Sequence, residues 1–448
     1  MTTGGINLAT GQTFSNVDEV LKEFYLGPVR EQLEFSGVLM KRAQKDKESV
    51  GGREVLIPVH TGRNEGIAGV SDGGSLPDPG AQSWENLTFP VKYMYGRLLI
   101  TGPTISAAKT DKMAFVRTLD ASIKGLTRDL KKELNRVCHG DGTGNLATKW
   151  TSPSGTGTIT ELGGSGQGTI VHAWDADSAN KIPFIRPGMN LALVPTSATS
   201  ANKDATTTIG GLTVTGVDTT NGTVSCSGGT LGTTTGWTAS TDYYLVRAAR
   251  VDSNTTTYAE SSWYKEPMGL QGMITDTGTF QNIDASLDAN DWWRAVVDSS
   301  TTALSFSTMQ QMLDNIAKAS EGHRPTLIIT DYTQRRKYFE LWGANETSGI
   351  GAARRYANTM VLDGGFDAVE YNGIPIVVDV DATPGHMYFL HEPDIAIFRN
   401  EDFFWLDRDG KILHRLEDKD AYQATLACYY EYGAYRRNNQ GVMNSLAE

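Results

Sequence analysis

Eight residues, Cys138 to Asn145, bring a thiol, an imidazole, a carboxylate and three glycines together in the sequence CHGDGTGN. Such a set could hold a metal ion, or its glycines could cradle a phosphate. Metal binding is disfavoured because Cys138 and His139 are adjacent, so their side chains diverge by about 100° on a helix. A phosphate-binding loop precedes a helix, whereas this segment follows one. We therefore predict a helix C-terminus, with Gly140 as the left-handed residue that ends the helix, and then a turn.

Other chemical motifs are incomplete. Asp407 and Asp409 suggest a calcium loop, but the later oxygen ligands are absent. His386 and His391 are five positions apart without HExxH, and the glycine-rich segment 163–168 matches no nucleotide-binding fingerprint. The seven histidines are scattered, with none beside a serine or cysteine nucleophile. No catalytic, cofactor-binding or metal-binding residue is predicted, although a site built from distant residues stays open.

Two aromatic runs could stack on sugars or bases. They are Trp292-Trp293 and Phe403-Phe404-Trp405. Aromatic residues more often pack in a core or an interface, and we expect that role here.

The composition narrows the class of protein. The chain has 448 residues, of which 48 are glycine and 39% are hydrophobic, which indicates many turns and extended connections. A formal net charge of −12 disfavours binding along nucleic-acid phosphates. Cys138, Cys226 and Cys428 form no CxxC pair, which favours a reducing compartment. No signal peptide and no apolar run of about 20 residues is found, so no membrane partner is predicted.

A long amphipathic helix is predicted just before the CHGDGTGN segment. Apolar residues recur there every three or four positions, which is the spacing of one helix face. This packing face consists of Val116, Leu119, Ile123, Leu126, Leu130, Leu134 and Val137. Thr110 can cap the first turn, and Lys131, Lys132 and Arg136 lie near the other end, where the helix dipole favours cations.

Upstream of this helix, the sequence predicts a long hairpin. Arg53–Asn64 and Leu87–Gly102 are strand-like, and a polar, glycine-rich stretch joins them. An isolated hairpin is only marginally stable in water, so we expect this one to lie against another surface. A shorter amphipathic helix is predicted still earlier, from Val17 to Leu33, with Ser15 as its cap.

Downstream, the composition changes twice. Residues 151–266 are rich in Thr, Gly and Ser with short strand-like pieces, which predicts an inserted small β sandwich or barrel. From Leu304 the pattern is α/β, with a capping box at Ser307 before a helix to Lys318 and with Asp331 capping a helix through Leu341. The tail predicts a hairpin that turns at Asp409-Gly410.

This order of elements resembles the major capsid proteins of tailed bacteriophages, of the Hong Kong 97 type. The resemblance is also local in sequence, and it covers about residues 45–150 and 267–440. The segments that carry it are HTGRNEGIAGV, KYMYGRLLITGP, AFVRTLDASIKGLTRDLKKELNR, HGDGTG, LDGGFDAVEYNGIPIVVD and LEDKDAYQATL. The Thr/Gly/Ser-rich module is a departure from the family pattern, and we treat it as an insertion.

The resemblance implies an α+β fold of this capsid type with an inserted small β domain. The implied parts are an N-terminal arm (1–50), an extended loop (51–101), a peripheral domain with its spine helix (102–150), the inserted module (151–266), a connection in the peripheral domain (267–303), an axial domain (304–398) and returning peripheral strands (399–448). The extended loop would contact a neighbouring subunit through Arg63, Asn64, Glu65 and Trp84.

The implied function is structural, not enzymatic. The chain would assemble with itself into pentamers and hexamers of an icosahedral head shell, formed in the bacterial cytoplasm and found in the virion. Double-stranded DNA would be enclosed without specific binding, and the other implied partners are portal and scaffolding proteins and a decoration or cement protein. Two alternatives remain at this point, an encapsulin-like protein compartment and a soluble enzyme with a non-local site.

The resemblance also raises the question of covalent linkage. The phage that gives the fold its name joins its subunits by isopeptide bonds between a lysine on the extended loop and an asparagine on a neighbour. Here no lysine lies between Arg53 and Val91, and arginine stays protonated and is a poor nucleophile. The sequence therefore predicts a shell held by non-covalent contacts alone.

Overall fold

The structure is a computed structural model of the chain. It describes residues 37, 39, 42, 44–46, 54–103, 112–149, 157–162, 170–172, 184–195, 209–218, 222–231, 243–248, 261–300, 302–346, 360–362, 366–407, 412–416 and 419–447, with only the backbone described in parts of some helices and strands. Predicted features that lie outside these residues include the helix Val17–Leu33, the glycine-rich segment 163–168 and the turn at Asp409-Gly410.

The elements are labelled in chain order. The helices are α1 (Lys112–His139), α2 (Leu270–Met273), α3 (Phe306–Ala319) and α4 (Tyr332–Glu346), with 3-10 turns at Asp288–Trp293 and Glu392–Asp394. The strands are β1 (Gln44–Asp46), β2 (Glu54–Gly62), β3 (Ser83–Pro90), β4 (Lys92–Thr101), β5 (Asn145–Lys149), β6 (Gly157–Leu162), β7 (Ile170–His172), β8 (Asn190–Pro195), β9 (Ile209–Asp218), β10 (Thr223–Leu231), β11 (Tyr243–Arg247), β12 (Thr279–Phe280), β13 (Ile283–Asp284), β14 (Val296–Asp298), β15 (Leu327–Thr330), β16 (Met360–Leu362), β17 (Phe366–Tyr371), β18 (Ile374–Val378), β19 (Met387–Leu390), β20 (Ile395–Trp405), β21 (His414–Arg415), β22 (Ala421–Ala434) and β23 (Gly441–Met443).

The predicted hairpin is present, but the single strand expected over Leu87–Gly102 is wrong. β3 ends at Pro90 and pairs antiparallel with β2. β4 begins two residues later and pairs antiparallel with β22 along its whole length, in a sheet with β1, β20 and β21. Because proline has no N–H to donate to a ladder, Pro90 is a natural point for the chain to leave one sheet and enter another.

The long helix predicted from apolar spacing is present as α1, which packs on the five-stranded sheet. Leu126 lies against Gly96 of β4, where an added Cβ would come 3.0 Å from Leu126 Cδ1. Ile123 and Leu126 are partly buried there, whereas Leu130, Leu134 and Val137 are fully buried further along. Thr110 and the side chains of Val116 and Leu119 are outside the part of the chain that the structure describes.

The prediction that Gly140 is the left-handed residue after α1 is wrong. The helix ends at His139 as expected, and Gly140 N donates to Val137 O at 3.0 Å. The residues with positive φ are instead Gly142 (77°) and Gly144 (80°). Asp141 Oδ1 accepts a hydrogen bond from Thr143 N at 2.9 Å, which closes a side-chain turn of the kind that aspartate favours.

The inserted module is a β domain, but its described strands form one sheet and not a sandwich or barrel. Seven strands pair antiparallel in the order β6-β10-β9-β8-β11-β5-β7. β5 belongs to this sheet, although it precedes the predicted start at residue 151. The entry and exit of the module lie side by side, since Tyr264 N donates to Thr143 O at 2.9 Å.

The α/β region after residue 304 is built on a second seven-stranded sheet, in the order β14-β23-β19-β15-β18-β17-β16. Its first helix, α3, is capped by Ser305 and not by Ser307, because the Ser305 hydroxyl accepts from Thr308 N and the Thr308 hydroxyl accepts from Ser305 N. Asp331 caps α4 as predicted, and that helix continues past Leu341 to Glu346.

One large core joins the second seven-stranded sheet to α1 and β22, whereas the module has a core of its own. The face of the second seven-stranded sheet that carries Leu327, Ile329 and Tyr388 packs on the C-terminal half of α1 and on the tyrosine-rich end of β22. The opposite face, with Ile328 and Phe389, packs under α3 and α4. Alternate strand residues point to opposite faces of a sheet, which explains how a run such as LIIT is buried on both sides.

Candidate functional site

The extended hairpin β2–β3 has one half inside the subunit and one half outside it. At its base Val55, Leu87 and Phe89 are buried in the main core, and Thr88 N donates to Gln281 O at 3.1 Å. Phe89 packs on Phe398 with ring centroids 4.4 Å apart. The base of the hairpin is therefore fixed by its own subunit.

The hairpin exposes large apolar side chains on the outer face of its base and in its distal half. The exposed fraction is 61% for Leu56, which lies at the base opposite Thr88, and 62% for Trp84, 77% for Ile67 and 84% for Leu76 further out. β2 and β3 form a two-stranded sheet on their own. Such a sheet, with unpaired edges and exposed apolar residues, is stabilised by contact with another surface. These exposed parts of the hairpin are the candidate functional surface.

The four residues predicted to make an inter-subunit contact all lie on this exposed part. Arg63 pairs with Glu65 at 2.9 Å, and both side chains are about three-quarters exposed. Asn64 Oδ1 accepts from Gly66 N at 2.8 Å and shapes the start of the tip. The Trp84 ring stands edge-on to His60 with centroids 5.0 Å apart. The structure thus gathers these residues on one projection, where Arg63, Glu65 and Trp84 are exposed and Asn64 is half-buried.

A buried ion cluster connects the helix α1 to the inserted module. Arg136 donates to both carboxylate oxygens of Glu266 at 2.7 Å and to Glu133 at 2.8 Å. Arg247 of β11 donates to the other oxygen of Glu133 at 3.1 Å. The pKa of Glu133 would be raised by burial, but Arg136 and Arg247 outweigh burial and lower it to about 2. Burial raises the pKa of Glu266.

A second polar cluster connects α1 to the sheet that follows residue 304. Asn135 Nδ2 donates to Asp379 Oδ1 and to Asp381 Oδ2, both at 2.8 Å, and His139 Nε2 lies 3.6 Å from Asp379 Oδ1. Burial opposes ionisation of Asp379, but His139 and the hydrogen bonds from Asn135 and the Asp381 backbone hold its pKa well below the ordinary range. The last two turns of α1 therefore contact both neighbouring parts of the fold.

Neither cluster was predicted from the sequence. Arg136 was assigned to the helix dipole and His139 to the helix end. Their partners are distant in sequence: Glu266 is at the end of the module, and Asp379 directly follows β18 of the second seven-stranded sheet. The available signal was a weak one, namely Glu133, Arg136 and His139 at three-residue spacing beside an apolar face.

The residues considered for chemistry have structural roles where they are described. Cys138, Cys226 and Cys428 are buried free thiols, and burial raises the pKa of Cys138 and that of Cys226, the latter to about 12. Trp293 is buried and its Nε1 donates to Phe280 O at 3.4 Å, whereas Phe403, Phe404 and Trp405 are half-buried. In the described part of the chain, no group of three or more His, Cys, Asp or Glu is arranged to hold a metal ion. No described helix is long and apolar enough to cross a membrane.

Comparisons with known proteins give a match in structure only. No protein-family model and no curated protein matches the sequence. Among solved structures, the chain is similar to one in the cyanophage A-1(L) capsid asymmetric unit, with 13% identity, a TM-score of 0.52 and coverage of 95% of this chain and 98% of that chain. It also matches chains from the capsid of Myoviridae phage XM1 (7% identity, TM-score 0.46, coverage 95% and 97%) and from the capsid of a native GTA particle (9% identity, TM-score 0.43, coverage 95% and 95%). The similarity to the cyanophage chain spans nearly the whole length of both chains, and this chain has the Hong Kong 97-type phage capsid fold.

Proposed function

We propose that this protein is the major capsid protein of a tailed bacteriophage and forms the icosahedral head shell around double-stranded DNA. The observation that carries the proposal is the similarity of fold to the cyanophage capsid chain over 95% of this chain and 98% of that one. A fold can serve several functions, so the surface of the subunit has to support the same conclusion.

The exposed surface of the hairpin supports self-assembly. Four large apolar side chains on it, Leu56 at the base and Ile67, Leu76 and Trp84 further out, are each more than 60% exposed. Covering such a side chain contributes about 1.5–3 kcal/mol, and a shell repeats the contact at every subunit. We assign the four residues Arg63, Asn64, Glu65 and Trp84 to a contact with the adjacent subunit. Because hairpin and receiving surface differ, the contact is heterologous and closes into rings of five and six.

The net charge of the chain fits a shell that encloses DNA without binding it. A net charge of −12 makes the wall repel DNA phosphates, so DNA can be driven in by a separate motor without adhering. Within this proposal the subunit assembles in the host cytoplasm, ends in the virion, and has portal, scaffolding and cement proteins as partners. Its role is structural and not enzymatic.

The test is assembly of the purified chain. We expect sedimentation velocity and electron microscopy to show rings of five and six subunits or closed shells for the wild type. A Leu56→Ser, Trp84→Ser variant should sediment mainly as monomer, because the exposed apolar contact is lost. Ile412→Ser is the matched control, since Ile412 is an apolar side chain that is 47% exposed in a different part of the chain.

The outcomes separate the parts of the proposal. A wild type that stays monomeric at tens of micromolar contradicts a shell protein. Normal assembly of the hairpin variant would instead contradict the assigned contact. Particles recovered from cells should contain DNA, whereas particles filled with protein would indicate an encapsulin-like compartment.

A further inference from the structure

Helix α4 presents a surface that its own subunit leaves uncovered. Tyr332, Arg335, Arg336 and Phe339 are spaced so that they share one face of the helix, whereas Gln334 on the opposite side is buried, as is Tyr338. Tyr332 is 51% and Phe339 is 39% exposed, and Arg335 lies over the Tyr332 ring at 5.3 Å. We call these four residues the basic helix face. They include part of Arg335-Arg336-Lys337, the one run of three cations in the sequence.

A surface of opposite sign lies just before β14. Residues 276–298 contain five aspartates and one cation, Arg294. Two of these aspartates, Asp288 and Asp291, have side chains that are 104% and 78% exposed, and both pair with Arg294 at 3.0–3.3 Å. Leu287 beside them is 55% exposed. We call Leu287, Asp288 and Asp291 the acidic turn. It combines an apolar residue with excess negative charge, as the helix face combines aromatic rings with positive charge.

The two surfaces lie at opposite sides of one sheet and cannot meet within a subunit. The acidic turn leads directly into β14, which is an edge strand. Helix α4 lies over β18 and β17, where Tyr338 Oη donates to Glu370 O at 2.8 Å. Four to five strand spacings separate the two, which is about 19–24 Å.

We infer that the basic helix face of one subunit docks on the acidic turn of the next copy around a ring. This inference rests on the proposed function, because it assumes a ring of identical subunits. A heterologous ring contact requires two different, complementary surfaces on opposite flanks of the subunit, and these two surfaces meet that requirement. Opposite charges set the register, and Tyr332, Phe339 and Leu287 supply apolar area at the contact. The local partner of Arg336 is weak, since Glu340 lies 3.9 Å away and both side chains are more than half exposed.

The test is a charge exchange across the contact. The first variant carries Arg335→Glu and Arg336→Glu, and the second carries Asp288→Lys and Asp291→Arg. Each should raise the subunit concentration needed for half-assembly by about tenfold or more, because like charges then face each other. The chain that carries all four substitutions should return to within about threefold of the wild type, because each contact again joins opposite charges. Lys419→Glu and Asp407→Lys reverse exposed charges elsewhere and should leave assembly unchanged.

Circular dichroism spectra of all variants establish that each one is folded before assembly is compared. If both double variants assemble like the wild type, or if the fourfold variant fails while folded, this inference is wrong and the proposed function stands. If Arg335→Glu, Arg336→Glu reduces only the DNA content of particles, the helix face serves nucleic acid and the inference is also wrong. A wild type that forms no rings would overturn the inference together with the proposed function.

Discussion

Replacing Arg136 by methionine tests whether the buried ion cluster holds the inserted module on helix α1. Arg136 is 3% exposed and donates to both Glu266 and Glu133. Methionine keeps the unbranched aliphatic part and removes the guanidinium. Glu266 then loses the hydrogen bonds that Arg136 makes to both of its oxygens, while Glu133 keeps its contact with Arg247, whose side chain is 41% exposed.

The expected loss is large because the remaining carboxylates are buried. Removing one member of a buried ion pair typically costs about 3–5 kcal/mol, mainly through the charge left without a partner. Glu266 can reduce this cost by taking up a proton, so the loss should be greater above the pKa of that carboxyl than below it. Arg136→Lys should fall between wild type and Arg136→Met, because lysine has a single nitrogen, whereas Arg136 contacts Glu133 through both Nε and Nη2 and Glu266 through Nη2.

Urea unfolding of the unassembled subunit, followed by tryptophan fluorescence, measures this effect. Lys131→Met is the matched control on the same helix, since Lys131 is exposed and has only a distant contact with the Phe403 ring at 5.9 Å. It should cost less than about 1 kcal/mol. A double-mutant cycle with Glu266→Gln should give a coupling free energy of about 1–3 kcal/mol.

Two results would refute this reasoning. One is a loss for Arg136→Met no larger than that for Lys131→Met. The other is strict additivity of Arg136→Met and Glu266→Gln, which would mean that the 2.7 Å contact carries no free energy of its own.

Three further predictions concern pH, the module and covalent linkage. Burial raises the pKa of Glu431 to about 8, although the hydrogen bonds from Met268 N and Tyr432 N and the charge of Lys92 act in the opposite direction. Folding therefore favours the protonated carboxyl, and the free energy of unfolding should fall as pH rises from about 4.5 to 8. In urea titrations at about pH 5 and pH 8, Glu431→Gln should show a smaller fall. Replacing residues 145–263 by a short Gly/Ser linker should leave a folded subunit that still assembles, because Tyr264 N already donates to Thr143 O at 2.9 Å. An insoluble or unfolded product would show that the module is part of the core. Particles boiled in detergent should give one band near 48.6 kDa on a denaturing gel, since Lys92 Nζ donates a hydrogen bond to Tyr264 O at 3.1 Å within the subunit. A ladder of dimers to hexamers would disprove a non-covalent shell.

Local sequence rules predicted those elements whose stability is itself local. The apolar spacing of α1 located the helix to within a few residues, because one face must be buried every three or four positions. Asp331 was recognised as a cap because the cap bond to Gln334 N spans three residues. Capping was misplaced at α3, where Ser305 and Ser307 are both suitable and only the backbone geometry distinguishes them.

Pairing between distant segments could not be predicted in the same way. The sequence from Leu87 to Gly102 has one alternating pattern, yet β3 pairs with β2 and β4 pairs with β22, more than 300 residues later. Nor could the sequence show that seven short strands of the module form a single sheet that includes β5. Alternation fixes which face of a strand is apolar, but not which strand lies beside it.

The same division holds for the surfaces proposed to act in assembly. The sequence alone determined that a long polar hairpin precedes an amphipathic helix, and that Arg63, Asn64, Glu65 and Trp84 lie on that hairpin. Only the tertiary structure decided that Val55 and Phe89 are buried while Leu56 and Trp84 are bare, and that Arg136 meets Glu266. Burial and ion pairing depend on which distant segments approach a residue within a few ångströms, and the sequence around that residue does not show which segments these are.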